Sequence, residues 1–166
     1  ELIQQEDHSR HLCFGATLTI GEYVMPGPLL HLLEREPDIR LRMLTATTQE
    51  LLRLLDQGEL DFAIVEGYFD RQAYDSLTYC IQPYLPVCAP FYQFERPVQR
   101  MEDLLGERLL VREPGSGTRN VLERVLEERN LNVQSSRPLS ELGSLNACKP
   151  VGWRGEWTSF VRLAAV

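Results

Sequence analysis

The chain has 166 residues, with 17 Lys and Arg against 24 Asp and Glu, a formal net charge of −7, and 43% apolar residues. That balance excludes a disordered or fibrous chain. It also argues against this stretch gripping nucleic acid by itself, because phosphate binding needs a clustered basic surface and the basic residues here are scattered.

No window holds the roughly 18 uninterrupted apolar residues of a membrane span. The start, Glu1 to Asp7, lacks the basic and then apolar layout of a signal peptide. Cys13, Cys80, Cys88 and Cys148 contain no C-x-x-C pair and no zinc-knuckle spacing. They are expected to be free thiols in a reducing cytoplasm, with no metal and no cofactor.

Residues 1–11 are polar and read as the end of a linker or helix. Leu12 to Ala16 is a short apolar run, expected as a buried strand that ends in a turn at Thr17-Leu18-Thr19. Leu29, Leu30, Leu32 and Leu33 repeat at helical spacing. Pro26 suits the first turn of that helix and Pro37 stops it. Ile39, Leu41 and Met43 alternate with Arg40 and Arg42, a strand with one wet face. Thr47 and Glu50 have the spacing of a capping box ahead of the stripe Leu51, Leu52, Leu54 and Leu55, and Gly58 ends that helix. Leu60 to Val65 is nearly unbroken apolar sequence, expected as a strand covered on both faces.

Strand, helix, strand, helix, strand argues for a parallel sheet. In the order 2-1-3, ligands bind beyond the carboxyl ends of the strands. Thr17 to Thr19, Ala46 to Thr48, and Glu66-Gly67 fall at those ends.

Further along, Tyr84 to Pro90 is another apolar run, Met101 to Leu105 a short helical piece, and Leu109 to Val111 a buried strand. A helix marked by Val121, Leu122, Val125 and Leu126 follows, then a strand at Leu139 to Leu142 and a short helix from Leu145. The expected architecture is α/β with two small lobes and a cleft between them, the first over 12–86 and the second over 87–166.

Pro114-Gly115-Ser116-Gly117-Thr118-Arg119 joins a buried strand to a helix. Unpaired N–H groups, the helix dipole and two hydroxyls make it a cradle for an anionic oxygen. Ser116 is equally suited to plain N-capping. Thr17, Thr19, Thr47 and Thr48 pose the same choice at two turns of one sheet edge. His8 and His11 fit a solvated segment better than a metal site, and His31 fits a structural role. Glu66 and Glu113 each end a strand, one per lobe, where they suit either an acid–base pair or a ligand-orienting role. No His falls at a strand end and there is no G-x-S-x-G elbow.

These residues together resemble the effector-binding domain of LysR-type transcriptional regulators. The resemblance runs through Phe14-Gly15-Ala16-Thr17-Leu18-Thr19-Ile20-Gly21-Glu22-Tyr23, Glu36-Pro37-Asp38-Ile39 and Leu54-Leu55-Asp56-Gln57-Gly58-Glu59-Leu60-Asp61-Phe62-Ala63-Ile64-Val65-Glu66-Gly67. It resumes at Asp103-Leu104-Leu105-Gly106-Glu107, Arg112-Glu113, Gly115-Ser116-Gly117-Thr118-Arg119 and Glu141-Leu142-Gly143-Ser144.

It implies a fold like the type II periplasmic binding proteins, with a small polar or anionic effector held between two lobes and no catalysis. The implied effector contacts are Thr17, Thr19, Thr47, Thr48 and Glu66 from the first lobe, and Ser116, Gly117, Thr118 and Ser144 from the second. It also implies a homo-oligomer paired through the helix at 26–35, the strand at 39–45 and the helix at 48–57. DNA would be reached only through a separate helix-turn-helix that does not fit within this sequence. The family's pattern is broken between Lys149 and Trp157, which puts the last strand of the second lobe in question, and the family continues past the position of Val166. The alternatives are a free-standing solute-binding protein and an enzyme on the same two-lobe scaffold.

Overall fold

The computed structural model describes residues 10–136, 139–154 and 157–162, so most of the expected linker end, with His8, lies outside the described residues. The first sheet has the order β2-β1-β3 and is parallel throughout, formed by β1 (His11–Thr17), β2 (Arg40–Ala46) and β3 (Phe62–Ile64). Helices α1 (Leu18–Tyr23), α2 (Pro26–Arg35) and α3 (Thr48–Asp56) connect them. On one face Phe14, Ala16, Ile20 and Met25 pack with Leu12, Leu29, Leu41, Met43 and Ile64. On the other, α3 lies so close to β1 that a Cβ on Gly15 would come 2.4 Å from Leu51 Cδ2. Thr47 caps α3 by accepting from the Glu50 N–H at 3.3 Å, and Gly58 ends the helix at φ +70.

Two expectations for this half are corrected. Thr17 to Thr19 is not a simple turn, because Thr17 is the N-cap of α1 and Leu18 already belongs to that helix. Six residues are too few to print a helical period in the sequence. The strand at Leu60 to Val65 is not covered on both faces. It shortens to β3 at the sheet edge, and Phe62 is 40% exposed while its ring stacks on Phe14 at 4.9 Å. Apolarity here serves an aromatic stack and one strand pairing.

The second sheet has the order β4-β7-β5-β6, from β4 (Tyr84–Cys88), β5 (Leu109–Arg112), β6 (Leu139–Leu142) and β7 (Thr158–Arg162). The expected junction at 86/87 falls inside β4. β5 pairs in parallel with both β6 and β7, and β4 runs antiparallel to β7. All four residues of β5 are buried. Leu109 and Val111 face α4 (Gly117–Glu127), joining Leu104, Leu122, Leu126, Val133 and Phe160. Leu110 points the other way, to Cys148 of α5 (Leu145–Arg154) and to Val161.

The doubtful last strand is therefore present, and it is the correction for this half: β7 lies between β4 and β5. Pro150 sits within α5, where it removes one helical N–H without ending the helix. Among the described residues, no helix is long and apolar enough to cross a membrane.

Candidate functional site

The carboxyl ends of β1, β2 and β5 face one another across a cleft of about 190 Å³. Its described lining is Thr17 and Leu18 at the end of β1, Thr45 to Thr47 at the end of β2, Glu66 after β3, Arg112 and Glu113 at the end of β5, Ser116 and Gly117 at the start of α4, and Gly143 after β6. The wall exists because β1, β2, β5 and β6 each hand over to a helix at this level, so strand ends and first helical turns converge.

Thr17 is 3% exposed, and its Oγ1 has no hydrogen-bond partner. It takes the N-cap position of α1 without making the side-chain cap bond. A buried hydroxyl left unpartnered is costly unless something else satisfies it. Across the cleft, Ser116 caps α4 by accepting from Arg119 N–H at 3.4 Å, which leaves its own O–H to donate. The N–H groups of Gly117 and Thr118 lie in the first turn, where the helix offers no acceptor.

Glu66 and α4 are in direct contact. Thr118 Oγ1 donates to Glu66 Oε1 at 3.1 Å, and a Cβ on Gly117 would lie 2.4 Å from the Glu66 carbonyl oxygen. Glycine at the first position of α4 is what lets the strand end press against the helix. A second tie joins the sheets outside the cleft: Tyr23 Oη donates to Asn146 Oδ1 and Asn146 Nδ2 donates to Glu22 Oε2, both at 2.7 Å.

Arg112 also lines the cleft. Its guanidinium makes two bonds to the neighbouring Glu113, Nε to Oε2 at 2.8 Å and Nη2 to Oε1 at 2.9 Å. Behind it, buried Arg119 donates to the Arg112 carbonyl at 3.1 Å and bonds Glu123 and Glu141. Burial works against the charge on Arg119, but the two carboxyl partners outweigh it and raise its pKa above the ordinary value.

The nine residues expected at the site divide. Thr17, Thr47, Glu66, Ser116 and Gly117 line the cleft. Thr47 does so while also capping α3. Thr48 turns away, donating to the Glu66 carbonyl at 2.8 Å, and thereby fixes the end of β3. Thr118 is spent on Glu66. Thr19 is buried within α1 with no partner for its hydroxyl and lies outside the cleft wall. Ser144 precedes α5, and its carbonyl accepts from the Ala147 and Cys148 N–H groups, while its neighbour Gly143 lines the cleft. Thr45 and Arg112 were not singled out from the sequence. The signal that finds them is position: each falls at the carboxyl end of a strand, where Thr17 was sought.

Among known proteins, the profile of the LysR substrate binding domain matches residues 5–161. A probable RuBisCO transcriptional regulator of Cyanophora paradoxa is 27% identical over 163 residues, covering 93% of this chain and 49% of that protein. The HTH-type transcriptional regulator CysL of Bacillus subtilis is 28% identical over 135 residues, 78% of this chain and 44% of that protein. The chain thus spans about half the length of these relatives. In fold it is similar to the reduced form of OxyR, with a TM-score of 0.75 and 24% identity over 97% of this chain and 74% of that one. The regulatory domain of CcmR from Synechocystis PCC6803, solved in complex with 2-PG, gives a TM-score of 0.75 at 18% identity over 94% of this chain and 74% of that one. Together with the two α/β sheets and the cleft between them, these matches show that the chain belongs to the LysR substrate binding domain family.

Proposed function

We propose that this chain is the sensing part of a LysR-type transcription regulator of the cytoplasm. It binds a small polar or anionic effector between its two lobes, one built on each sheet, and so controls DNA binding by a helix-turn-helix elsewhere in the protein. The observation that carries this reading is the buried, unpartnered hydroxyl of Thr17, a residue that is 3% exposed and lines the same cleft as Ser116 and Gly117 at the start of α4. A ligand oxygen placed there satisfies Thr17, Ser116 and the first-turn N–H groups at once. Glu66 and Glu113 act as ligand-orienting groups in this reading. Each already accepts hydrogen bonds from a neighbour, Thr118 and Arg112 respectively, which suits holding a ligand better than relaying protons.

Thr17→Val tests it. The change removes the hydroxyl and little volume, so the melting temperature without ligand should match wild type or rise. A small molecule that stabilises wild type should bind the variant about tenfold more weakly or worse, the usual consequence of losing a hydrogen bond to a charged group. Equal binding by both proteins would place the site elsewhere.

The chain also self-associates in this proposal, through α2, β2 and α3. α2 buries none of its residues fully, and Leu30 is 60% exposed. β2 is an edge strand with Arg40 and Arg42 on its exposed face. An exposed apolar row beside a polar rim is the composition of a protein interface.

A further inference from the structure

We infer that Arg112 selects the effector's charge: the effector is a small monocarboxylate, and its carboxylate binds the end of the Arg112 guanidinium that Glu113 leaves open. The inference rests on the cleft being the effector site, and it names the group that this site recognises.

Three observations carry it. The first is an incomplete set of partners. A guanidinium has five N–H donors. Nε and Nη2 of Arg112 each give one to Glu113. The other donors, two on Nη1 and one on Nη2, have no acceptor among the described residues. Arg112 is only 6% exposed, so bulk solvent does little to satisfy them.

The second is place and shape. Arg112 is the one basic residue in the described lining of the cleft. Glu113 takes the Nε side of the fork, so the open side is the Nη1–Nη2 end. That end matches a carboxylate through two parallel N–H···O bonds.

The third is the contrast with Arg119, the other buried arginine of this turn. Arg119 bonds Glu123, Glu141 and the Arg112 carbonyl, and it stands outside the cleft lining. Arg112 has one carboxylate where Arg119 has two, and the effector supplies the second. Glu113 remains beside that second carboxylate and repels it. A single negative charge is therefore tolerated better than the double charge of phosphate. The Thr17 and Ser116 hydroxyls are left for an uncharged oxygen of the same molecule.

The experiment is a thermal-shift screen followed by calorimetry on the 166-residue chain. The probes are acetate, glycolate, lactate, 3-hydroxybutyrate and benzoate, the amide of each, and inorganic phosphate. At least one carboxylate should bind wild type saturably, with its amide and phosphate about tenfold weaker or worse. Glu113→Gln removes the opposing charge and keeps an acceptor for the guanidinium, so it should tighten that carboxylate about threefold or more. Adding Arg112→Gln to this variant removes the cation without leaving an unpaired acid, and should weaken the carboxylate about tenfold or more relative to Glu113→Gln. Unliganded melting curves check that each variant is folded, and the amide comparison and Glu113→Gln decide the matter if the double variant is not.

The inference is overturned if no carboxylate binds, if the amide or phosphate binds as tightly, if Glu113→Gln does not tighten binding, or if loss of Arg112 in a folded variant leaves it unchanged. Thr17→Val separates the two readings. A probe weakened by Thr17→Val but not by loss of Arg112 removes the role of Arg112 and keeps the cleft. Binding that ignores both changes removes both.

Discussion

Replacing Gly117 by Ala puts the contact between the two sheets to a direct test. Gly117 is the first residue of α4, where alanine is intrinsically the better helix former by up to about 1 kcal/mol. On propensity alone the variant should be more stable than wild type. The surroundings argue the opposite. The new methyl would stand 2.4 Å from the Glu66 carbonyl oxygen, 2.5 Å from its Cγ and 2.8 Å from its carbonyl carbon. Two of these three atoms are backbone, so no rotamer change removes the clash. The end of β3 and the start of α4 must move apart, and the Thr118–Glu66 bond lengthens with them.

Overpacking of this kind costs about 1–3 kcal/mol. For a chain of this size each kcal/mol corresponds to roughly 2–4 °C in melting temperature. The expected loss is therefore roughly 2–12 °C, measured by circular dichroism or calorimetry. Gly27→Ala is the control. It sits in the first turn of α2 with nothing within 4 Å of the added methyl, and should be neutral or slightly stabilising. If Gly117→Ala melts at or above Gly27→Ala, the close approach of the two sheets is not as described.

Leu30→Asp with Leu33→Asp, both on the exposed side of α2, should lower the sedimentation coefficient of the wild type to that of a monomer. A wild type already monomeric at tens of micromolar, a concentration that only weak interfaces fail to withstand, would remove the proposed dimer face. Cys80 is exposed, whereas Cys148 is buried and its thiol is pushed up mainly by desolvation, so iodoacetamide labelling read by mass spectrometry should modify Cys80 first and Cys148 last. Asp103 is held below its ordinary value of 3.8 by the Gln99 and Arg100 N–H groups. A depressed carboxyl contributes stability that is present above 3.8 and is lost as pH falls through the lowered folded value. Asp103→Asn keeps the acceptor and removes the titration, so the difference in melting temperature between wild type and variant should narrow on acidification below that point.

Much of this was legible in the sequence for local reasons. The alternation of apolar runs with helical stripes argues for a parallel sheet, which the structure shows in the order β2-β1-β3, and Thr47 with Glu50 marks the cap of α3. The direction of individual side chains was not legible. Thr47 and Thr48 are adjacent and chemically alike, yet one lines the cleft and the other holds the Glu66 carbonyl, because consecutive residues at a helix start point about 100° apart. Thr19 and Thr118 were drawn toward the site by their hydroxyls, but burial in α1 and the bond to Glu66 place them behind its wall. Arg112 was hidden for another reason. Its partner is the adjacent Glu113, and only the course of the chain after β5 shows that this pair lines the cleft.

The placement of β7 governs the order in which the protein can assemble. The first sheet is complete once residue 64 has formed, and all three of its strands follow one another closely in the chain. In the second sheet β4 and β5 meet only through β7, which follows them by some 70 and 45 residues of chain. During synthesis the first sheet can therefore close while β4 waits, with Tyr84 to Cys88 unpaired, until Thr158 to Arg162 emerge. Such a distant pairing is slow to nucleate. A premature stop before Thr158 would leave an open strand edge prone to pairing with other chains, so aggregation of the truncated product, more than loss of binding, is its expected signature.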